Sequence, residues 1–376
     1  MSPHLEDKTL PSNCPTMSEL SPAVPSSIYD IDAIDKLMER RAVPKKVQAS
    51  TRRALFQCEE PKIELRDEVV ALCKELQNNR QQQFLELVSV SNSQMDQSSK
   101  ILFKTYDGHL IESVILRSLR MEKNSLCLSS QVGCTEKCHF CATGSLPFRR
   151  NLSKDEILDQ VLIMRRILHS EGRTLTHVVF MGMGEPLRNF EAVSASLSAL
   201  ISVRHFRISP RAVTVSTLGI PSAMLELVHR HPQVNLALSL HAPTDELRSK
   251  IMPINFKHSI GDLLACLAEM EPLHNRFVMI SYILFLGLND SAEQAQHLAK
   301  LFTGRRIIFN LIPFNAISDH RDFERCDERQ MNVFKRILMA AGFQVTVRRS
   351  FGPDIDAACG QLVARREAFP THSMGL

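Results

Sequence analysis

Apolar residues recur at two different periods along this chain, and the change of period divides it. Across residues 26–92, Ile31, Ile34, Leu37 and Met38, then Val69, Val70, Leu72, Cys73 and Leu76, follow helical spacing. Pro44 and Pro61 break the pattern, which predicts a small helical module. Two alternating runs, Ile101 to Tyr106 and His109 to Leu116, flank Asp107-Gly108 and predict a β-hairpin over 93–119. From Leu126 onward, apolar runs at 126–132, 176–182, 212–218, 234–241, 276–286 and 306–314 alternate with helical patterns at 154–168, 292–302 and 327–341. This alternation predicts an α/β fold over 120–353 with a parallel sheet. Runs such as Val178-Val-Phe-Met181 suit strands covered on both faces. A flat doubly wound sheet and a curled barrel fit the periodicity equally well. Residues 1–25, rich in Pro and Ser, read as a disordered leader, and 354–376 as a loop and tail.

Composition narrows the setting. The chain has 376 residues and ordinary apolar content, enough for a full core without staples. No apolar run approaches the roughly 18 residues of a membrane span. The first residues, Met1-Ser-Pro-His-Leu-Glu-Asp-Lys8, carry no apolar signal region, and a reduced, cytoplasmic setting is expected. A net charge of +4 does not itself demand a nucleic acid. Its clustering is more telling. Lys36, Arg40, Arg41, Lys45, Lys46, Arg52 and Arg53 face a single intervening acid, Glu39, which reads as a solvated helical face or a phosphate-contacting surface.

The densest chemistry lies in Cys134-Thr-Glu-Lys-Cys138-His-Phe-Cys141. Thiolates favour iron–sulfur clusters, zinc or copper. Structural zinc wants four protein ligands, and no fourth Cys or His follows at suitable spacing. A four-iron cluster normally takes four thiolates, so three leave one iron open for another molecule. Further motifs sit where predicted strands end: Gly184 and Glu185, Ser216, Ser239 to His241, and Asn315. In barrels of this type the chemistry gathers at the carboxyl ends of the strands.

The triad and its flanking stretches resemble the RlmN/Cfr family of radical S-adenosylmethionine RNA methyltransferases, which act on adenines of 23S ribosomal RNA. The resembling stretches are Leu126-Cys127-Leu-Ser-Ser-Gln-Val-Gly133, Met181-Gly-Met-Gly-Glu-Pro186, Val213-Thr-Val-Ser-Thr217, Ser239-Leu-His-Ala-Pro243, Met252-Pro-Ile-Asn255 and Asp354-Ile-Asp-Ala-Ala-Cys-Gly-Gln-Leu362, within residues 100–362. The resemblance selects a partial (β/α)6 barrel with a helical accessory domain that helps to hold RNA. It implies a [4Fe-4S] cluster on Cys134, Cys138 and Cys141, with S-adenosylmethionine on the open iron and two molecules of it consumed per turnover. Gly184, Glu185, Ser216, Ser239, Leu240, His241 and Asn315 match the cofactor-binding positions, with Glu185 accepting from the amino group. Cys359 matches the thiol that carries the methyl group, and Cys127 the thiol that later forms a transient disulfide with it. Glu112 or Cys127 is the base that removes the ring proton. The resemblance further implies a monomer served by an electron donor such as flavodoxin or ferredoxin, with transfer RNA a second candidate substrate. Where many RlmN-type members have Glu-Tyr, this chain has Ser281-Tyr282, and other stretches look closer to Cfr-type members, so carbon 2 and carbon 8 of the adenine both stay open. Two rival readings remain: a catalytically inactive cluster protein that binds RNA, and a zinc-stabilised RNA-binding module. Cys58 and Cys73 read as core thiols, and Cys14, Cys266 and Cys326 carry no assignment.

Overall fold

A computed structural model describes residues 27–78, 84–118, 123–317 and 322–363. The expected leader and the residues beyond 363 lie outside these. Helices α1 (Ile31–Arg40), α2 (Lys45–Gln57) and α3 (Arg66–Asn78) come first. The Asp30 carboxylate caps α1 by accepting from the Ala33 N–H, and Ile31, Ile34, Leu37 and Met38 form its buried stripe, as their spacing predicts. The module is fastened to the rest of the chain by polar bonds. Tyr29 donates to Asp159 at 2.5 Å, and Gln57 donates to the His205 carbonyl at 2.9 Å.

The helical reading of 26–92 is corrected at its end. Residues Leu85–Asn92 form strand β1, which continues into β2 (Ser99–Thr105) and β3 (Leu110–Arg117) as an antiparallel meander. The reason is local: Val88-Ser-Val-Ser91 alternates with period two and is β-branched. The predicted hairpin is present with Thr105 and His109 closing its turn.

The α/β portion then follows. Its elements are β4 (Asn124–Cys127), β5 (Gln131–Val132), α4 (Ala142–Ser145), β6 (Arg150–Asn151), α5 (Lys154–Ser170), β7 (Leu175–Phe180), α6 (Phe190–Ile201) and β8 (Val213–Thr217). The second half comprises α7 (Pro221–Arg230), β9 (Asn235–Ser239), α8 (Asp245–Ile251), α9 (Ile260–Met270), β10 (Val278–Leu284), α10 (Ala292–Leu301), β11 (Ile307–Pro313), α11 (Glu328–Ala340) and β12 (Gln344–Val347). One ten-stranded sheet runs β1-β2-β3-β4-β7-β8-β9-β10-β11-β12. Within this sheet, every pairing from β4 onward is parallel, with helices in each crossover. The six expected parallel strands are therefore present, and β12 adds one more at the edge. The order is open at both ends, as in a partial barrel. Val178, Val215, Leu238, Ile280 and Phe309 are buried along the strands and carry the core through the sheet. Each such side chain contributes about 1.5–3 kcal/mol by leaving water.

The expected strand over 126–132 is split. After β4 the chain leaves the main sheet, and β5 pairs with β6 as a separate two-stranded ribbon. That departure lifts the cysteine loop over the carboxyl ends of the parallel strands.

Candidate active site

Cys134, Cys138 and Cys141 lie on the loop between β5 and α4. Its shape requires two glycines. Gly133 has φ +77, and a Cβ there would meet the Pro147 carbonyl oxygen at 2.3 Å. A Cβ on Gly144 would meet the Cys138 carbonyl oxygen at 2.7 Å. All three thiols line one open cavity of about 830 Å³, counted with its solvent-filled mouth. Gly184, Glu185, Ser216, Ser239 and His241 line it with them. Phe140, buried between the second and third thiols, packs edge-on to His241 at 5.0 Å and tilted to Phe285 at 5.7 Å. It forms an apolar wall beside the sulfurs.

Three thiols on one loop are the donor set that an iron–sulfur cluster takes, with one iron left for another molecule. A zinc ion needs all its ligands about 2.0–2.3 Å from one centre. A multi-iron cluster spreads its thiolates over different irons. Burial pushes Cys134 up to about 12 and Cys138 well above the usual thiol range, where neighbouring thiols push it further. Such thiols ionise only against a strong positive charge, which bound metal supplies.

Glu185 follows β7. Its side chain is 2% exposed and accepts the N–H groups of Leu187 at 3.0 Å and Leu218 at 2.8 Å. Burial outweighs these bonds and raises its carboxyl to about 7. Gly184, at φ +97, lets this turn press on Gln131, whose amide oxygen accepts the Glu185 N–H at 2.9 Å. His241 has φ +58 and a buried ring. Its Nδ1 accepts the Ile283 N–H at 3.0 Å, so the ring proton sits on Nε2. Burial, helped by the Arg248 cation, lowers its pKa to about 3 and keeps it neutral.

Two expected cofactor residues sit differently. Leu240 is fully buried and lines neither cavity, contributing backbone through its N–H to Ser281 O at 3.1 Å. Asn315 lines a second, adjoining cavity of about 630 Å³. There its amide donates to the Cys359 carbonyl at 3.3 Å and accepts from Ser350 at 2.6 Å.

That second cavity holds the remaining thiols. Cys127, at the end of β4, and Cys359 both line it as free thiols. Cys359 also lines the first cavity, as Cys141 lines the second, so the two cavities adjoin at these thiols. Burial, then Cys359, pushes the Cys127 thiol up to about 12. The Cys359 turn is docked on the triad loop, where Ala142 N–H donates to Gly360 O at 2.7 Å and the Thr143 hydroxyl to Leu362 O at 2.7 Å.

Glu112 is not brought to either cavity lining. It is 2% exposed on β3, its Oε1 is 3.3 Å from Lys100 Nζ, and its Oε2 accepts the Val363 N–H at 2.9 Å. Arg348 lines both cavities and touches the Met181 sulfur at 3.0 Å. Glu136, bonded to Arg188 at 2.7 Å, lines the first. Neither was assigned from sequence, although Glu136 lies inside the triad spacing. Ser281, the departure noted above, also lines the triad cavity.

The Radical SAM superfamily profile matches residues 128–299. A probable RNA methyltransferase of Rhodopirellula baltica is 43% identical over 279 residues, covering 74% of this chain and 73% of that protein. A probable dual-specificity RNA methyltransferase RlmN of Pseudothermotoga lettingae is 41% identical, covering 75% of this chain and 80% of that protein. The chain belongs to the RlmN/Cfr family of radical S-adenosylmethionine RNA methyltransferases. Among solved structures, a radical SAM methyltransferase from Sphaerobacter thermophilus superposes with a TM-score of 0.81 at 34% identity, covering 91% of this chain and 100% of that one. As a member of the RlmN/Cfr family this chain is a methyltransferase with RNA as its substrate, and the family implies an iron–sulfur cluster and S-adenosylmethionine. Among the described residues no helix is long and apolar enough to cross a membrane.

Proposed function

We propose that this enzyme methylates carbon 2 or carbon 8 of an adenosine in 23S ribosomal RNA through an S-methylcysteine on Cys359. The observation that carries the reading is the placement of Cys359, which lines both the triad cavity and the cavity that holds Cys127. Cys134, Cys138 and Cys141 hold a [4Fe-4S] cluster, and Gly184, Glu185, Ser216, Ser239 and His241 surround S-adenosylmethionine. A bound, reduced cluster would supply the electron that splits S-adenosylmethionine into methionine and a 5′-deoxyadenosyl radical. Cys359, as thiolate, would take a methyl group from one S-adenosylmethionine, releasing S-adenosylhomocysteine, and a second S-adenosylmethionine would be consumed to remove a hydrogen atom from that methyl. The carbon radical would add to the adenine, and the adduct would lose one electron to the cluster and its ring proton to the base. Cys127 would then attack the Cys359 sulfur, forming a transient disulfide and breaking the sulfur–carbon bond as the released base takes up a proton.

Either Cys127 or Glu112 serves as the base. Cys127 lines the second cavity but burial holds it as the neutral thiol, and Glu112 must give up Lys100 and Val363. Exposed Lys36, Arg40, Lys45 and Lys46 on the helical module suit RNA phosphates. Transfer RNA as a second substrate, a flavodoxin or ferredoxin donor, a monomeric state and a cytoplasmic setting complete the proposal.

Mass spectrometry of ribosomal RNA from cells with and without the gene tests the substrate and the ring carbon together. A methyladenosine lost on deletion is expected. Unchanged nucleosides in ribosomal RNA, with a methyladenosine missing from transfer RNA, reassign the substrate. Cys359→Ala is expected to abolish transfer in anaerobic turnover assays, and wild-type turnover in that variant sinks the carrier role.

A further inference from the structure

Among the described residues, Arg248 is the largest side chain with essentially no solvent exposure. It lies on α8, outside the motifs that carry the cofactor residues. Its guanidinium donates to Leu218 O at 2.5 Å, Asn255 Oδ1 at 2.8 Å, His258 O at 3.2 Å, Leu240 O at 3.3 Å and Ser239 O at 3.5 Å. Leu218 follows β8, Ser239 ends β9 and Leu240 follows it, and these residues line or support the triad cavity. Every partner is neutral, and among the described residues no carboxylate forms an ion pair with this cation. Asp245, on the same helix, is turned to the Ile260 N–H at 2.8 Å instead.

A buried charge whose bonded partners are all neutral is costly, so its persistence calls for compensating charge nearby. Burial lowers the Arg248 pKa to about 10, which leaves it charged at neutral pH. Negative charge at Cys138, and after it at Asp245, acts back on the cation and stabilises it. The cysteine loop is tied to the same helix, because His139 N–H donates to Ile251 O at 3.0 Å. Ser239 and His241 line the triad cavity with the cysteines, and the guanidinium is bonded to the Ser239 and Leu240 carbonyls, so the cation is held on the wall of that cavity.

We propose that Arg248 is a positioning residue whose cation is the buried counter-charge of the thiolate-ligated cluster. This rests on the cluster reading above. The fork of donors holds the two cofactor loops in place, while the positive charge favours the more negative, reduced state of the cluster and so raises its reduction potential. A loop strut without this electrostatic role would leave the potential unmoved.

The test is an EPR-monitored redox titration of anaerobically reconstituted protein, with iron and sulfide assayed on each sample. Wild type is compared with Arg248→Lys, Arg248→Met and Asn255→Asp. The last variant keeps the fork but sets a carboxylate against the guanidinium, so it carries the comparison if Arg248→Met does not fold. The midpoint is expected to fall in Arg248→Met and in Asn255→Asp, and to stay nearer wild type in Arg248→Lys. Loading of iron in Arg248→Lys but in neither charge-neutralised variant supports the same conclusion. Equal midpoints in all loaded proteins, or loss of iron from Arg248→Lys as well, overturns the inference. A wild-type protein that binds no iron overturns the cluster reading instead.

Discussion

In the proposed reading, the buried Glu185 carboxyl would tie cofactor binding to pH. Its pKa is raised to about 7, so below that pH it is neutral and accepts poorly from the cofactor's amino group. S-adenosylmethionine affinity is expected to rise about tenfold per pH unit up to pH 7 and then level off. Equilibrium binding from pH 5.5 to 8.5 (about three units) reads this, and Glu185→Gln should flatten the profile. The folded state holds this proton where the unfolded chain has lost it, so stability without cofactor declines as pH rises from the ordinary carboxyl range to about 7. Gly133 makes a second claim at this scale. Gly133→Ala forces a Cβ onto Pro147 backbone at 2.3 Å from a φ of +77, and should lower iron loading while leaving the far helices folded. Iron assay beside circular dichroism separates the two effects. The cysteines, Gly184 and Glu185 were legible in the sequence because their chemistry is written in short local spacings. Arg248 was not, since one arginine on a short charged helix reads as surface.

Among the elements, the segment from Gly352 to Val363 depends on partners far away in sequence. Asp354 accepts the Ser93 hydroxyl at 2.6 Å and the Gln94 N–H at 2.8 Å in the β1–β2 turn, and Asp96 accepts the Gly352 N–H at 2.6 Å. Glu112 holds the other end at Val363. Asp354→Ala should loosen this segment, seen as faster amide exchange over 352–363, with a loss of about 0.5–1.5 kcal/mol per bond removed. Unchanged exchange there would show that the tether is idle. The parallel strands β7 to β11 were legible as near-continuous apolar runs. β12 was not, because Gln344-Val-Thr-Val347 is a short and mostly exposed edge with no apolar run to read. β1 was absorbed into a helical stretch although its alternation was visible. Glu112 was expected at the chemistry by resemblance, but its contacts with Lys100 and Val363 come from register and chain closure, which sequence does not report.

For the whole molecule, the charge that matters to RNA is local. Arg41, Arg52 and Arg53 are engaged by Glu75, Asp35 and Glu59, whereas Lys45 and Lys46 stand exposed at the start of α2. Lys45→Glu with Lys46→Glu should weaken RNA binding and lower the slope of log affinity against log salt by about 0.7–0.9 per lost phosphate contact. A slope equal to wild type would place the RNA on another face. The topology of the sheet also explains why residues as distant as Cys127 and Cys359 share a wall: parallel strands bring all their carboxyl ends to one side, and the final turn folds back across them.

That fold-back has a practical consequence for anyone handling the protein. The Gly360 carbonyl is anchored on Ala142, beside the third triad thiol. In the proposed reading, damage by air to a cluster held there would therefore also loosen the turn that carries Cys359. Material purified aerobically would then resist rescue by iron and sulfide alone, until Cys127 and Cys359 are also returned to their reduced form.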